Sequence, residues 1–331
     1  MGRWLPPRVV LPLVAALALA GPLVVNPYLR FVLTLFFVYA VVALGLNLLL
    51  GYAGQFAFAN AAFFGWGAYT TTLLQVKGGL PFVVALPIGA LVTAGVGAIV
   101  GLPALRLRGL YLAIVTLAFG EVTYWAMVHW SFTGGASGMK APAPSFAALG
   151  LASGVGMYYL CLGVAVVLYT ATWGIVHSRV GRAFVAVRDF EIAAQALSVN
   201  ITMIKTAAFV LSAFYAGIAG GLHGAALGFV APESFDLFQM VLQFCMVVVG
   251  GLGSIVGSAL GAALVLGLRE ALRAAVGTQE ILFGALLITC IVFLPRGLGS
   301  MLRWGGPAWV ERLHWEPRRT ARERASWQPS P

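Results

Sequence analysis

Six charged side chains crowd one short stretch of this chain: Arg179, Arg182, Arg188, Asp189, Glu191 and Lys205 all fall between positions 178 and 205. Almost everything on either side is apolar enough to lie in lipid, so this stretch must lie in water or against another protein. Its spacing points to docking. Asp189 can cap a helix by accepting from exposed backbone N–H groups, and Glu191 in the first turn suits the helix dipole. Ile192, Ala193, Ala196 and Leu197 then line one face, with Gln195 on the other. A short helix of this kind, held at the membrane surface between two spans, can sit in a groove of a partner. A plain cytoplasmic loop with a surface helix has the same pattern, and spacing alone does not separate the two.

Other candidate chemistry is sparse. Glu121 stands in the middle of the apolar run 112–130, and a carboxylate inside a span is a functional candidate by default. A structural hydrogen bond to a neighbouring helix is its plainer role. Gln55 and Asn60 can line a polar path, as can Thr70, Thr71 and Thr72, although threonine also bonds its own helix backbone. The cysteines (Cys161, Cys245, Cys290) sit in apolar runs without metal-ligand spacing, and His129, His177, His223 and His314 form no ligand cluster. Ser254 has no nucleophile-elbow context to pair with His223. A phosphate-binding loop needs a lysine after its glycines, and Lys77, Lys140 and Lys205 all lack that setting. Any ATPase must therefore be another polypeptide.

The elements that position these residues are read from composition. The 331 residues are 61% hydrophobic and 9% charged, against roughly 25% charged in a soluble domain. The fold class is all-α: a polytopic transmembrane bundle whose 41 glycines let helices approach closely. With about 20 residues per crossing, spans fall at 9–25, 31–50, 56–76, 81–103, 110–130, 156–176, 204–226, 237–252, 254–268 and 279–295. Residues 1–25 resemble a signal peptide in outline, but an uncleaved first span is the simpler reading. Gly51, Gly54, Gly250, Gly251 and Gly253 mark expected helix breaks and gating points. The short eighth and ninth spans form a candidate re-entrant pair around 250–254. Broken segments in both halves (51–67 and 250–261) point to inverted repeats with a midplane path.

Basic residues before span one, after span four (Arg106, Arg108), in 178–205 and after span ten (Arg296, Arg303 and onward) place both termini in the cytoplasm. The same bias accounts for the net charge of +10. The longest outer loop, 131–155, is rich in glycine and proline and reads as turns. Residues 1–303 form the permeation domain, with a cytoplasmic loop at 177–205; 304–331 form a basic tail without a packed core, suited to anionic headgroups.

Several long motifs then occur in one order: A-L-G-L-N-L-L-L-G-Y-A-G-Q at 43–55, A-A-F-F-G-W-G-A-Y-T at 61–70, and G-L-P-A-L-R-L-R-G-L-Y-L-A-I-V-T-L-A-F-G-E at 101–121. F-T-G-G-A-S-G follows at 132–138, E-I-A-A-Q-A-L-S-V-N at 191–200, A-F-V-L-S-A-F-Y-A-G-I-A-G at 208–220, V-V-G-G-L-G-S-I-V-G at 248–257 and F-L-P-R-G-L at 293–298. The chain resembles the LivM-type permease subunits of branched-chain amino-acid ABC importers. That resemblance implies a permease of the bacterial inner membrane that works by alternating access and performs no covalent chemistry. It implies a LivH-type second permease, two ATPase subunits that carry the ATP and magnesium, and a periplasmic substrate-binding protein. It also makes Arg188, Asp189, Phe190, Glu191, Ile192, Ala193, Ala194 and Leu197 the coupling helix that seats in the ATPase, with motion passing through 205–220.

Three departures from the family pattern stand out. Ala59-Asn60 replaces Gly-His, Phe190 replaces a common carboxylate, and Ser198 replaces a glycine. Ser198 is expected to stiffen the turn leaving the coupling helix. Asn60 opens an alternative cargo within the same class: urea, short amides or aromatic acids. A secondary transporter or channel, and an intramembrane hydrolase, are the rivals outside it.

Overall fold

Long apolar runs punctuated by glycine and proline fold into a bundle of helices. In the computed structural model the described residues are 26–104, 107, 109–144, 153–271, 284–285 and 298. The expected first span (9–25), all of the tenth span (279–295) but residues 284–285, the tail, Arg106, Arg108 and Cys290 lie outside them. Helices α1 (Pro27–Asn47), α2 (Asn60–Val76), α3 (Phe82–Ala104), α4 (Leu110–His129) and α5 (Ser153–His177) come first. Two short surface helices, α6 (Arg179–Asp189) and α7 (Glu191–Ala196), follow, then α8 (Ile201–Leu227), α9 (Leu237–Gly250) and α10 (Ile255–Ala271). Among the described residues six segments are long and apolar enough to cross a membrane: Pro27–Tyr52, Phe82–Pro103, Leu110–His129, Ser153–His177, Ile201–Leu227 and Pro232–Gly250. The chain is an all-α, multi-pass membrane protein.

The centre of the bundle is α8, which packs against α1, α2 and α3. Its composition explains why: Ala213, Ala216, Gly217, Ala219, Gly220 and Gly221 leave its inner face nearly flat. A side-chain carbon on Gly67 would strike the Gly217 backbone, and one on Gly220 would strike the Phe64 carbonyl. Helix backbones approach this closely only where side chains are absent, and in lipid that contact is the main source of cohesion. A second core joins Tyr39, Ala43 and Leu46 of α1, and Leu50 just after it, to Leu242 and Met246 of α9 and Ala262 and Val265 of α10.

One end of the bundle gathers α6, α7, the loop after α1 and the Gly251–Ser254 turn. The other gathers Lys77, the 131–141 loop and the β-pair Met139–Lys140 with Phe229–Val230. There Lys77 Nζ donates to the Phe132 carbonyl at 3.2 Å and lies 3.7 Å from the centre of its ring. The outer loop is turn-rich as expected, with 3-10 turns at Ser131–Thr133 and Gly135–Ser137.

Two expected spans are revised. The second does not run through as α-helix: it changes at Leu48–Tyr52 to a π-helical turn. The third begins at Asn60, four residues later than periodicity placed it, because Gly54 takes φ +66° and turns the chain. Gly109 breaks the α3–α4 connection in the same way, at φ +58°. Cys161 and Cys245 are buried, as small core hydrophobes.

Candidate functional site

The charged stretch 178–205 contains two short helices, α6 and α7, and the first turn of α8. Ser178 caps α6, its Oγ accepting from the Val180 amide at 3.1 Å. The helix ends at Asp189, so Asp189 does not cap α7. Its carboxylate is held by Arg188 Nε at 2.8 Å, and α7 opens after Phe190 without a side-chain cap. Asp189 is the last residue of α6 and Phe190 stands at the cap position of α7, so the carboxylate pairs at its own helix end.

Helix α7 presents its apolar side chains to the outside. Phe190, Ile192 and Leu197 are 74%, 80% and 79% exposed. Ala193, Gln195 and Ala196 are exposed too, and Ala194 alone in the helix is buried. The helix buries Ala194 against the bundle and is tied to it by an ion pair, in which Lys205 Nζ donates to Glu191 Oε1 at 2.9 Å. Lys205 is 4% exposed, not solvated with the rest of the stretch. Burying an ammonium is costly unless it is paired, and Glu191 supplies that pair.

The exit from α7 is a tight helix stop. The Ser198 amide donates to the Gln195 carbonyl at 3.0 Å and the Val199 amide to the Ala194 carbonyl at 3.1 Å. This double bond pattern needs a left-handed residue at Ser198, where glycine is the usual choice. Ser198 has φ +62°, the sole non-glycine with positive φ among the described residues.

Arg188 is turned away from the exposed face of α7. Its Nη1 donates to the Gly51 carbonyl at 2.7 Å, inside the π-helical turn. Gly54 walls its stem; a side-chain carbon there would lie 2.5 Å from Arg188 Cγ. Gly51 in turn meets the Gly253 backbone with no room for a side chain. Asn47 ties this junction together. Its Oδ1 accepts from the Gly253 amide at 2.8 Å, and its Nδ2 donates to the Ser254 carbonyl at 2.9 Å and to Ser258 Oγ at 2.8 Å. Gly251 (φ +108°) and Gly253 (φ +75°) shape the turn, while Gly250 abuts the Gly257 backbone. All five glycines picked out as helix breaks therefore belong to one region, although 51–54 and 250–253 are far apart in sequence.

The residues proposed for a polar path do not come together. Gln55 is buried and its Nε2 donates to the Ala53 carbonyl at 3.2 Å. Asn60 is buried, its Nδ2 donating to Gln243 Oε1 at 2.8 Å and its Oδ1 accepting from Ser212 Oγ at 3.4 Å. Glu121 is exposed on α4, in a groove with Val122, Trp125 and His129. Thr71 and Thr72 are buried. His223 packs among Tyr39, Phe64 and Phe235. Asn47, Ser258 and Gln243 were missed in the sequence. The available signal was a single amide inside an otherwise apolar run, since an unpaired amide is disfavoured in lipid.

A multi-pass bundle with broken helices meeting at one end, and a short helix offering apolar side chains there, defines a polytopic membrane protein. The chain belongs to the branched-chain amino acid transport system permease component family, whose sequence model matches residues 28–294. It is 33% identical over 312 residues to the high-affinity branched-chain amino acid transport system permease protein LivM of Salmonella typhimurium, covering 87% of this chain and 73% of that protein. The permease protein BraD of Pseudomonas aeruginosa is 28% identical over 280 residues, covering 78% of this chain and 91% of BraD. LivH of Escherichia coli matches over a shorter region, 34% identical over 125 residues, 37% of this chain and 40% of LivH. No solved structure matches. The chain is a transport permease, not an enzyme.

Proposed function

We propose that this chain is one of two permease subunits of an ATP-driven importer for branched-chain or other hydrophobic amino acids, in a bacterial inner membrane. A LivH-type permease completes the path, two ATPases bind ATP and magnesium below, and a periplasmic binding protein delivers the amino acid above. The end that carries Arg179, Arg182 and Arg188 faces the cytoplasm by the excess of basic residues. That orientation fits about ten spans with both termini inside. Helix α7 docks in the ATPase groove through Phe190, Ile192, Ala193 and Leu197.

The exposure of Phe190, Ile192 and Leu197 carries this reading. Three large apolar side chains exposed within the eight residues 190–197 are disfavoured unless a partner covers them. Asn60 was the ground for urea, amide or aromatic-acid cargo. Here it is 3% exposed and bonded within the chain, so the reading keeps the cargo named for the relatives.

Glu191→Lys is a poor test of docking, because it would set an ammonium against buried Lys205. Ile192→Asp with Leu197→Asp is better, since both side chains are about four-fifths exposed. Co-expressed with its two ATPases and second permease, this double variant is expected to stay folded, lose ATPase co-purification and lose uptake of radiolabelled leucine. Full ATPase recovery with normal uptake would overturn the docking assignment.

A further inference from the structure

Arg188 was grouped with the residues that meet the ATPase, yet its guanidinium points the other way. It spans from Asp189, at the seam between α6 and α7, to the carbonyl of Gly51 in the π-helical turn. A helix end leaves carbonyls without amide partners, and here a side chain from a distant segment supplies the missing donor. Gly51 touches Gly253 backbone to backbone, and Asn47 bonds both the Gly253 amide and the Ser254 carbonyl. One side chain thus connects the docking helix to the break in α1 and, through it, to the break between α9 and α10.

We propose that Arg188 is the positioning residue that transmits movement of α7 to the two broken helices. It acts through the Gly51 carbonyl and not through contact with the ATPase. This rests on the importer reading above. The route differs from the path through α8, where Lys205 holds Glu191. The π-helical turn is suited to receive the pull, because its looser bonding register allows a helix to change locally. The guanidinium is suited to deliver it, because its planar fork holds a carboxylate and a carbonyl at once. Gly54 keeps the connection taut: with no side chain and φ +66°, it lets the loop close over the arginine stem.

The test uses the complete four-subunit complex in proteoliposomes, with leucine moved per ATP hydrolysed as the readout. Arg188→Ala is expected to keep its ATPases and keep hydrolysing ATP, while uptake per ATP falls about tenfold, as loss of a charge-assisted bond implies. Should that variant fail to assemble, Arg188→Lys carries the test. It keeps the charge but holds one acceptor, and its uptake per ATP is expected to lie below that of the wild type. A wild-type ratio in an assembled variant overturns the proposal, and so does loss of the ATPases in step with loss of uptake. If the unaltered complex shows no ATP-driven leucine uptake, the importer reading fails instead.

Discussion

Replacing Asn47 by leucine keeps the branched shape of the side chain and removes every hydrogen bond it makes. Four are lost: those with the Gly253 amide, the Ser254 and Gly251 carbonyls and Ser258 Oγ. Polar pairs within membranes are worth only about 0.6 kcal/mol on average, about 1.7 at most. Coupling alone therefore accounts for little. The larger cost is the Gly253 amide, left without this acceptor against the π-helical turn, at about 1–3 kcal/mol. Ser258 keeps a partner, because its Oγ also donates to the Ser254 carbonyl at 3.1 Å. The sum is about 2–4 kcal/mol. Denaturation of purified protein in bicelles, run as a double-mutant cycle with Ser258→Ala, separates the parts. The expected coupling between the two side chains is below about 2 kcal/mol, with most of the loss in the Asn47→Leu single variant. A single variant within about 0.5 kcal/mol of wild type would refute the idea that Asn47 holds the break together.

Other perturbations follow the same bonds. Glu191→Gln is expected to cost about 3 kcal/mol, as it leaves the buried Lys205 ammonium unpaired, and Lys205→Met is expected to cost less, because Glu191 keeps a quarter of its side chain in water. Denaturation midpoints of the two variants check the order. Ser198→Gly is expected to stabilise the exit from α7 by about 1 kcal/mol, because serine strains at φ +62°. Slower amide exchange at Val199 would report it. Gly220→Val drives a side chain into the Phe64 carbonyl, where overpacking costs about 1–3 kcal/mol or more, and lower yield of folded protein is the expected result.

Most spans were legible because a membrane crossing is a property of composition: the runs that place α4, α5 and α8 match their helices to within a few residues at each end. Breaks were legible as glycines, but their juxtaposition was not, since nothing local links 51–54 to 250–253. The short helix α7 was visible as a pattern, and its details were misread for one reason. A sequence shows which residues are charged, not which way they turn. Asp189 was given a capping role, but Phe190 stands at the cap position. Arg188 was placed on the partner's side, and Lys205 in water. Asn60 looked like a path residue because its neighbours Gln243 and Ser212 lie far along the chain. Ser198 was noticed only by comparison with family glycines, and the stiffness expected there is a backbone forced into the left-handed region.

The contacts of Gly51 with Gly253, Gly67 with Gly217 and Gly250 with Gly257 share one property: main chain lies directly on main chain. Interlocked side chains resist shear, because each must leave its hole before the next can enter. Bare backbone surfaces have no teeth. They hold helices close by dispersion, yet present a nearly smooth track along which one segment slides past another at little cost. In this permease close helix contacts thus lie where the least friction opposes movement, and larger side chains at these positions would act as brakes before they acted as wedges.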